Sequence, residues 1–228
     1  QAYKRIYDRL GIGQDTFQTF ASGGVFAKYS HEFQTLTDIG EDTIYYNADK
    51  SVVLNEEVLN DEVLTELGVQ REELQSAKAA EVGNIFTLGT KYSAPLGLVF
   101  NNKDGERKTV LMGCYGIGVS RVMGVIAEKS CDERGLVWPE QVAPYKYYLI
   151  GIGEEGTKQA EILYRDHENT ILYDDRNLRP GEKFADAELM GIPYRVVISD
   201  KTLASNQAEI TNRATGESKL VDLNQIQF

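Results

Sequence analysis

The chain has 228 residues, of which 42% are hydrophobic, and its 35 acidic and 24 basic side chains give a net charge of −11 at pH 7. No apolar run approaches the roughly 18 residues of a membrane span, and so acidic a chain lacks the general positive field of a nucleic-acid-binding protein. Its two cysteines, Cys114 and Cys131, imply neither a disulfide framework nor a zinc site, and a reducing cytoplasm fits them.

The first part of the chain predicts a mostly antiparallel sheet that leads into a helix. Residues 3–10 carry apolar side chains at helical spacing, and runs of strand character follow a loop with two glycines. The further predicted elements are strands at Glu32–Thr37 and Thr43–Tyr46, helical structure over Asn55–Ala80 with an interruption near Gly68, a β-hairpin of Leu96–Asn101 and Lys108–Met112, and a helix at Val119–Glu128.

Closely spaced glycines stand where the last strand passes into this helix. With a strand at Thr109–Met112, we expect Gly113, Gly116 and Gly118 in the turn. Glycine lets a backbone approach a ligand closely, a helix N-terminus offers free N–H groups to an anion, and Arg121 adds a planar, permanently charged group. The pattern is typical of a site for a phosphate-bearing ligand, and it is also typical of ordinary turn chemistry.

The second part of the chain alternates strands and helices, which favours a partly parallel sheet covered by helices. Trp138-Pro139 marks the join, so we place a domain boundary at residue 137. The predicted elements are strands at Tyr147–Ile152, Thr170–Tyr173 and Tyr194–Ser199, helices at Thr157–His167 and Lys183–Met190, and a hairpin of Gln207–Asn212 and Ser218–Val221.

Residues 151–156 satisfy the G-x-G-x-x-G pattern of dinucleotide-binding proteins between a predicted strand and a predicted helix. Glu154 and Glu155, however, put negative charge where a pyrophosphate would sit at the helix N-terminus. Fewer than 80 residues follow, too few for the rest of a six-stranded fold. A dinucleotide-binding oxidoreductase is therefore the least favoured of the functions considered.

Four blocks in order along the chain resemble one family. Met112–Gly124, with the sequence MGCYGIGVSRVMG, resembles motif 3 of class II aminoacyl-tRNA synthetases in the form found in bacterial-type prolyl-tRNA synthetases. Gly23-Gly24 with Ser30–Gln34 is similar to that family's proline-pocket segment, and Glu81–Ser93 to the strands leading to motif 3. Asp174–Arg176, 179–189 and 191–193 are similar to its anticodon-binding domain.

The resemblance implies an α/β (α+β) fold with two domains. Residues 1–137 would form the C-terminal part of the catalytic domain, and residues 138–228 an anticodon-binding domain with a mixed sheet. The implied activity is that of a proline–tRNA ligase: proline attacks ATP to give prolyl-adenylate, and the prolyl group passes to tRNA(Pro). ATP with Mg²⁺, no zinc, a homodimer and a cytoplasmic, membrane-free location are implied with it.

The resemblance also assigns residues. Arg121 is the expected catalytic residue, contacting ATP by stacking on adenine or pairing with phosphate. The remaining implied roles are ATP binding by Gly116, Gly118 and Glu81, with Glu81 as a weak Mg²⁺ ligand; proline binding by His31, Glu32, Cys114 and Gly113; and anticodon contacts by Arg176, Lys183 and Arg179.

The chain departs from the family pattern in several places. Motifs 1 and 2, which lie upstream in the family, are absent, so we expect this polypeptide to be inactive alone. Only about 35 residues separate Tyr46 from Glu81, where many bacterial relatives insert an editing domain. Asn84 stands at a position where many bacterial relatives have histidine. The segment between Gly24 and Ser30 is longer than is usual in the family. A non-catalytic, tRNA-binding or regulatory relative stays as the alternative, although such a protein would be expected to lose Arg121 or the Ser30–Glu32 block.

Overall fold

The computed structural model describes residues 1–24, 28–226 and 228, so the predicted long gap after Gly24 lies partly outside the described residues. The chain divides into two compact units, Gln1–Ile126 and Ala127–Phe228. The boundary at residue 137 stays a prediction. No helix within the described ranges combines the length and apolarity needed to cross a bilayer.

The first unit is built on a mostly antiparallel sheet, as predicted. Its elements are α1 (Ala2–Arg9), β1 (Thr16–Ser22), β2 (Tyr29–Leu36), β3 (Asp42–Tyr46), β4 (Val53–Asn55), α2 (Asp61–Leu67), β5 (Gln75–Gly89), β6 (Val99–Asn101), β7 (Arg107–Thr109), β8 (Met112–Ile117) and α3 (Val119–Lys129). The main sheet has the order β2-β1-β4-β3-β5-β8, with a further β2–β5 pairing, and β6 and β7 form a separate hairpin.

Helical structure through Ala80 was a wrong prediction. The helix ends at Gly68, which adopts a left-handed conformation (φ 69°), and Gln75–Gly89 forms one long strand. The strand β5 pairs with β3, β2 and β8. Ala79 is fully buried in this sheet. Pairing with three strands overrides the local helix propensity of the Lys78–Ala80 run.

The positions of the motif 3 glycines also differ from the prediction. Gly113 and Gly116 lie within β8, which pairs with β5 and is separate from the β6–β7 hairpin, so only Gly118 stands at the start of the helix. A Cβ atom on Gly116 would lie 3.1 Å from Oδ1 of Asn84. Glycine is thus used here for close approach within a strand rather than for a turn.

The second unit has a mixed five-stranded sheet of order β12-β11-β13-β14-β15, in which β11 is parallel to β12 and β13. Its elements are β9 (Cys131–Asp132), β10 (Gly135–Leu136), β11 (Tyr147–Ile152), α4 (Glu154–Asp166), β12 (Ile171–Tyr173), α5 (Pro180–Met190), β13 (Tyr194–Ser199), α6 (Asp200–Leu203), β14 (Gln207–Asn212) and β15 (Ser218–Asp222). One core includes Ala160 of α4 and another Ala187 of α5. The predicted α/β fold class is confirmed.

The G-x-G-x-x-G segment has a structural explanation. The carboxylate of Asp200 accepts a hydrogen bond from the backbone N–H of Gly156 at 2.8 Å, in the first turn of α4. A Cβ atom on Gly153 would lie 2.3 Å from the same carboxylate. The protein's own aspartate therefore takes the place at the helix N-terminus that a pyrophosphate would need.

The β9–β10 hairpin is fastened within the second unit by Arg213. This arginine is buried, donates to both carboxylate oxygens of Asp132 at 2.7 and 2.8 Å, and donates to the carbonyl of Glu188 at 3.0 Å. Hydrogen bonding to Arg213 lowers the pKa of Asp132 well below its usual range. A two-pronged contact of this kind depends on the planar guanidinium group.

We expect Arg213→Lys to lower the melting temperature by several degrees, because lysine cannot reproduce the two parallel hydrogen bonds. Arg165→Lys is the matched control, since the Arg165 side chain is 77% exposed. Thermal unfolding followed by the fluorescence of Trp138, the single tryptophan, measures the difference. Equal melting temperatures for the two variants would contradict the fastening role of Arg213.

Candidate active site and candidate RNA-binding turn

Neighbouring strands of the first sheet place their side chains on two opposite faces. Glu32 of β2 lies opposite Asn84 of β5, and Asn84 lies opposite Gly116 of β8. One residue along, His31 lies opposite Ile85. Cross-strand partners share a face and successive residues alternate between faces. We call the two surfaces the Glu32 face and the His31 face.

The four residues predicted to bind proline are divided between these faces. Cys114 is two residues from Gly116 in β8 and so belongs to the Glu32 face. Gly113 belongs to the His31 face, where it and His31 line an open cavity of about 370 Å³. The His31 ring packs against Phe20, with ring centroids 5.0 Å apart. Glu32 and Cys114 therefore share one face of the sheet, and His31 and Gly113 share the other.

A network of polar side chains holds the Glu32 carboxylate. Its Oε2 atom accepts hydrogen bonds from Nε2 of Gln34 at 2.9 Å and from Nδ2 of Asn55 at 3.2 Å. Gln34 is fully buried and also donates to the carboxylate of Asp42. Burial raises the pKa of Glu32, and the hydrogen bonds from Gln34 and Asn55 oppose that rise. The result is an oriented, partly desolvated carboxylate that is suited to binding a cationic group.

Arg121 extends the polar network from the start of α3. Its NH1 atom donates to the carbonyl of Glu81 at 2.9 Å and lies 3.3 Å from Oε2 of the same residue. The other carboxylate oxygen, Oε1, accepts from Nδ2 of Asn84 at 3.0 Å. The Arg121 side chain is 48% exposed. The guanidinium is therefore oriented by protein contacts yet open to a ligand.

A cavity of about 260 Å³ lies beside the Arg121–Glu81 pair. Its remaining lining residues are Ile39, Glu41, Asp42, Ala80, Gly124 and Val125. Gly124 has open space where a Cβ atom would stand. The cavity thus combines one cationic group, three carboxylates and an apolar wall.

The helix α1 supports the same strands from the His31 face. The hydroxyl of Tyr3 donates to the carbonyl of Gly116 at 3.1 Å, and its ring stacks on Phe33 with centroids 4.9 Å apart. A Cβ atom on Gly83 would lie 2.4 Å from the hydroxyl of Tyr7. Since α1 packs this closely, part of the His31 face is closed.

In the second unit, the turn after β12 is built around the buried carboxylate of Asp174. Asp174 accepts hydrogen bonds from the hydroxyl of Tyr148 at 2.8 Å and from Nε and NH2 of Arg176 at 2.9 and 2.8 Å. These contacts, with that to Arg176 the largest, lower the pKa of Asp174 to about 2 against the opposing effect of burial. NH2 of Arg176 also lies 2.8 Å from Asp186 of α5.

The three residues predicted to contact an anticodon differ in accessibility. Arg176 has a side chain that is 45% exposed, whereas the Lys183 side chain is only 9% exposed. The ammonium of Lys183 donates to the backbone carbonyl of Asp174 at 2.8 Å. Arg179 is exposed just before α5, where its backbone N–H donates to the side chain of Glu182. The anticodon contacts stay predictions for all three.

Among the described residues, no group of three or more histidine, cysteine, aspartate or glutamate side chains is placed to hold a metal ion. Both carboxylate oxygens of Glu81 are already near donors, one at Asn84 and one at Arg121. The Mg²⁺ role of Glu81 stays a prediction, in which Glu81 would supply a single carboxylate oxygen.

Comparison with protein families decides what these units are. A model of the tRNA synthetase class II core domain (G, H, P, S and T) matches residues 1–130, and a model of the anticodon binding domain matches residues 148–227. The chain belongs to the class II aminoacyl-tRNA synthetases. The resemblance found in the four sequence blocks is confirmed.

Curated relatives of this class II synthetase chain are named proline–tRNA ligase. The relative from Wolbachia pipientis wMel is 34% identical over 236 residues, which are 96% of this chain and 54% of the relative. Those from Anaplasma marginale (strain St. Maries) and Paracoccus denitrificans (strain Pd 1222) are 35% and 36% identical and cover 96% and 95% of this chain, with 55% of each relative matched. The chain spans about half the length of the curated relatives it matches.

Several polar residues of these sites were missed by sequence reasoning. They are Gln34, Asp42, Asn55 and Asn84 in the synthetase core and Tyr148, Asp174 and Asp186 in the anticodon-binding unit. Only Gln34, Asn84, Asp174 and Asp186 fall in blocks whose resemblance drew attention to them. The others come from separate strands, and no local pattern links them.

Acid is expected to weaken the second unit through Asp174. The folded pKa of about 2 lies below the ordinary value of about 3.9, so its contribution is full above about pH 4 and is lost as the pH falls towards 2. Asp174→Asn should lower stability at neutral pH and flatten this acid dependence, whereas Asp175→Asn, at an exposed neighbour, should do neither. Urea titrations of Trp138 fluorescence between pH 2 and 7 measure both effects. Parallel pH profiles for wild type and Asp174→Asn would contradict the role of Asp174.

Proposed function

We propose that the protein to which this chain belongs is a proline–tRNA ligase, which activates proline with ATP and transfers the prolyl group to tRNA(Pro). The observation that carries the proposal is the Glu32 face of a class II synthetase core, where the sheet holds an oriented carboxylate and Glu81 orients Arg121 of α3. The names of the curated relatives support the choice of proline.

Neither chemical step requires a covalent enzyme nucleophile, so catalysis rests on positioning and charge stabilisation. We assign Arg121 to ATP, where its exposed guanidinium would stack on adenine or pair with phosphate, with Gly116 and Gly118 beside it. We assign the charged amino group of proline to Glu32, because a partly buried carboxylate favours a cation. Cys114, on the same face, would pack against the substrate.

His31 and Gly113 have no place on this face, so we give them a supporting role through packing rather than contact with proline. Glu81 would provide one carboxylate oxygen to Mg²⁺, which supplies charge neutralisation of the ATP phosphates. The second unit would bind the anticodon of tRNA(Pro), with Arg176 as its most accessible candidate. A homodimer and a cytoplasmic location are supported by the family resemblance alone.

Arg121→Ala in the full-length protein should cost about 2–4 kcal/mol of transition-state stabilisation, because it removes the cation that we assign to ATP. The assay is proline-dependent ATP–pyrophosphate exchange, reported as kcat/KM. Arg165→Ala, at an exposed helix surface in the second unit, is the matched control and should be unchanged. An unchanged kcat/KM for Arg121→Ala would reject the role of Arg121.

We also expect no hydrolysis of alanyl-tRNA(Pro) by the full-length protein acting alone. The stretch between Tyr46 and Glu81 folds into β4, α2 and the first part of β5, which leaves no room for an editing domain of ordinary size. Release of [¹⁴C]alanine from preformed alanyl-tRNA(Pro) should match that with heat-inactivated protein. Faster release that depends on active protein would contradict this expectation.

A further inference from the structure

We infer that Lys183 does not contact RNA but positions Arg176, so that the guanidinium of Arg176 is presented to the tRNA. The inference rests on the proposed function, in which the second unit binds tRNA(Pro). It changes the role that the sequence resemblance gives to Lys183, and the reason lies in how the turn after β12 is assembled.

Lys183 is turned inward. It is the fourth residue of α5, its side chain is 9% exposed, and its ammonium donates to the backbone carbonyl of Asp174 while lying 4.0 Å from the carboxylate of the same residue. Drawing a buried ammonium out to reach RNA would break this hydrogen bond and leave a buried carbonyl without its donor, which is costly.

Asp174 connects Lys183 to Arg176, because it accepts hydrogen bonds from both residues. Lys183 fixes the carbonyl of Asp174, and the carboxylate of Asp174 binds Arg176 through two hydrogen bonds at 2.8 and 2.9 Å. The Tyr148 hydroxyl binds the same carboxylate from β11. A single buried aspartate is therefore held at its backbone by α5 and at its side chain by the sheet.

Arg176 is held so that one edge of its guanidinium stays available. Nε and NH2 bind Asp174, and NH2 also pairs with Asp186. Within the described part of the chain, NH1 has no hydrogen-bond partner. A two-pronged contact with a guanine edge through NH1 and NH2 would therefore compete with Asp186, whose side chain is 35% exposed.

A double-mutant cycle in the full-length protein tests the inference, with the KM for tRNA(Pro) in aminoacylation as the measurement. Lys183→Met and Arg176→Gln should each raise this KM about tenfold or more with little change in kcat. If Lys183 acts through Arg176, Lys183→Met should have no further effect in the Arg176→Gln protein. Multiplicative effects of the two changes would show independent contacts and overturn the inference.

Two further variants keep the test informative. Lys158→Met removes an exposed lysine from the same unit and should leave the KM for tRNA unchanged; a rise equal to that of Lys183→Met would reveal a general charge effect and overturn the inference. Asp186→Asn weakens the contact between Arg176 and the partly exposed Asp186 without disturbing the core. Its effect on the KM for tRNA(Pro) should also vanish in the Arg176→Gln protein. Persistence of that effect would overturn the inference as well.

Controls separate folding and chemistry from RNA binding. Circular dichroism and thermal unfolding of each full-length variant report whether it is folded, and if Lys183→Met is unfolded, the Asp186→Asn cycle decides. Proline-dependent ATP–pyrophosphate exchange without tRNA should be equal in all variants. Failure of the wild-type protein to exchange would refute the proposed ligase function, whereas normal exchange with multiplicative effects of the two changes on the KM for tRNA(Pro) would refute only the positioning role.

Discussion

The register between β2, β5 and β8 is the constraint on which the candidate active site depends. Glu32, Asn84 and Gly116 lie opposite one another on one face of the sheet. This face therefore presents the oriented Glu32 carboxylate beside a glycine, and Glu81 orients Arg121 next to it. A shift of the β2–β5 pairing by one residue would place the Glu32 and Asn84 side chains on opposite faces. The packing of α1 against the His31 face fixes this choice, because Tyr3 bonds the backbone of Gly116 and Tyr7 requires the absence of a side chain at Gly83.

The second unit depends on one buried charge in a comparable way. Asp174 is placed among Tyr148, Arg176 and Lys183, and these donors keep it ionised despite its burial. Removing any single donor would leave a buried carboxylate or carbonyl less well compensated. The net charge of −11 is thus compatible with RNA binding at a locally organised cation, because a few placed contacts specify sequence while a general positive field only strengthens binding.

Much of the fold was predictable from local pattern. The strands Tyr147–Ile152, Tyr194–Ser199 and Gln207–Asn212 match their predicted bounds, since apolar runs bounded by turn residues leave few alternatives. The helix prediction for residues 75–80 was wrong because pairing with strands distant in sequence overrode the local helix propensity. The prediction that Gly113 and Gly116 lie in a turn was wrong because glycine is also used where strands approach closely. Division of His31 and Glu32 between two faces follows from strand alternation, but their relation to Cys114 and Gly113 needs the cross-strand register, which the sequence alone does not provide.

We propose that the chemistry takes place on the Glu32 face. The decisive measurement is a crystal structure of the full-length protein with a non-hydrolysable prolyl-adenylate analogue. We expect the prolyl amino group within hydrogen-bond distance of Glu32, with Cys114 and Asn84 beside it and the adenosine moiety in contact with Arg121. An analogue bound on the opposite face, against His31 and Gly113, would disprove this assignment.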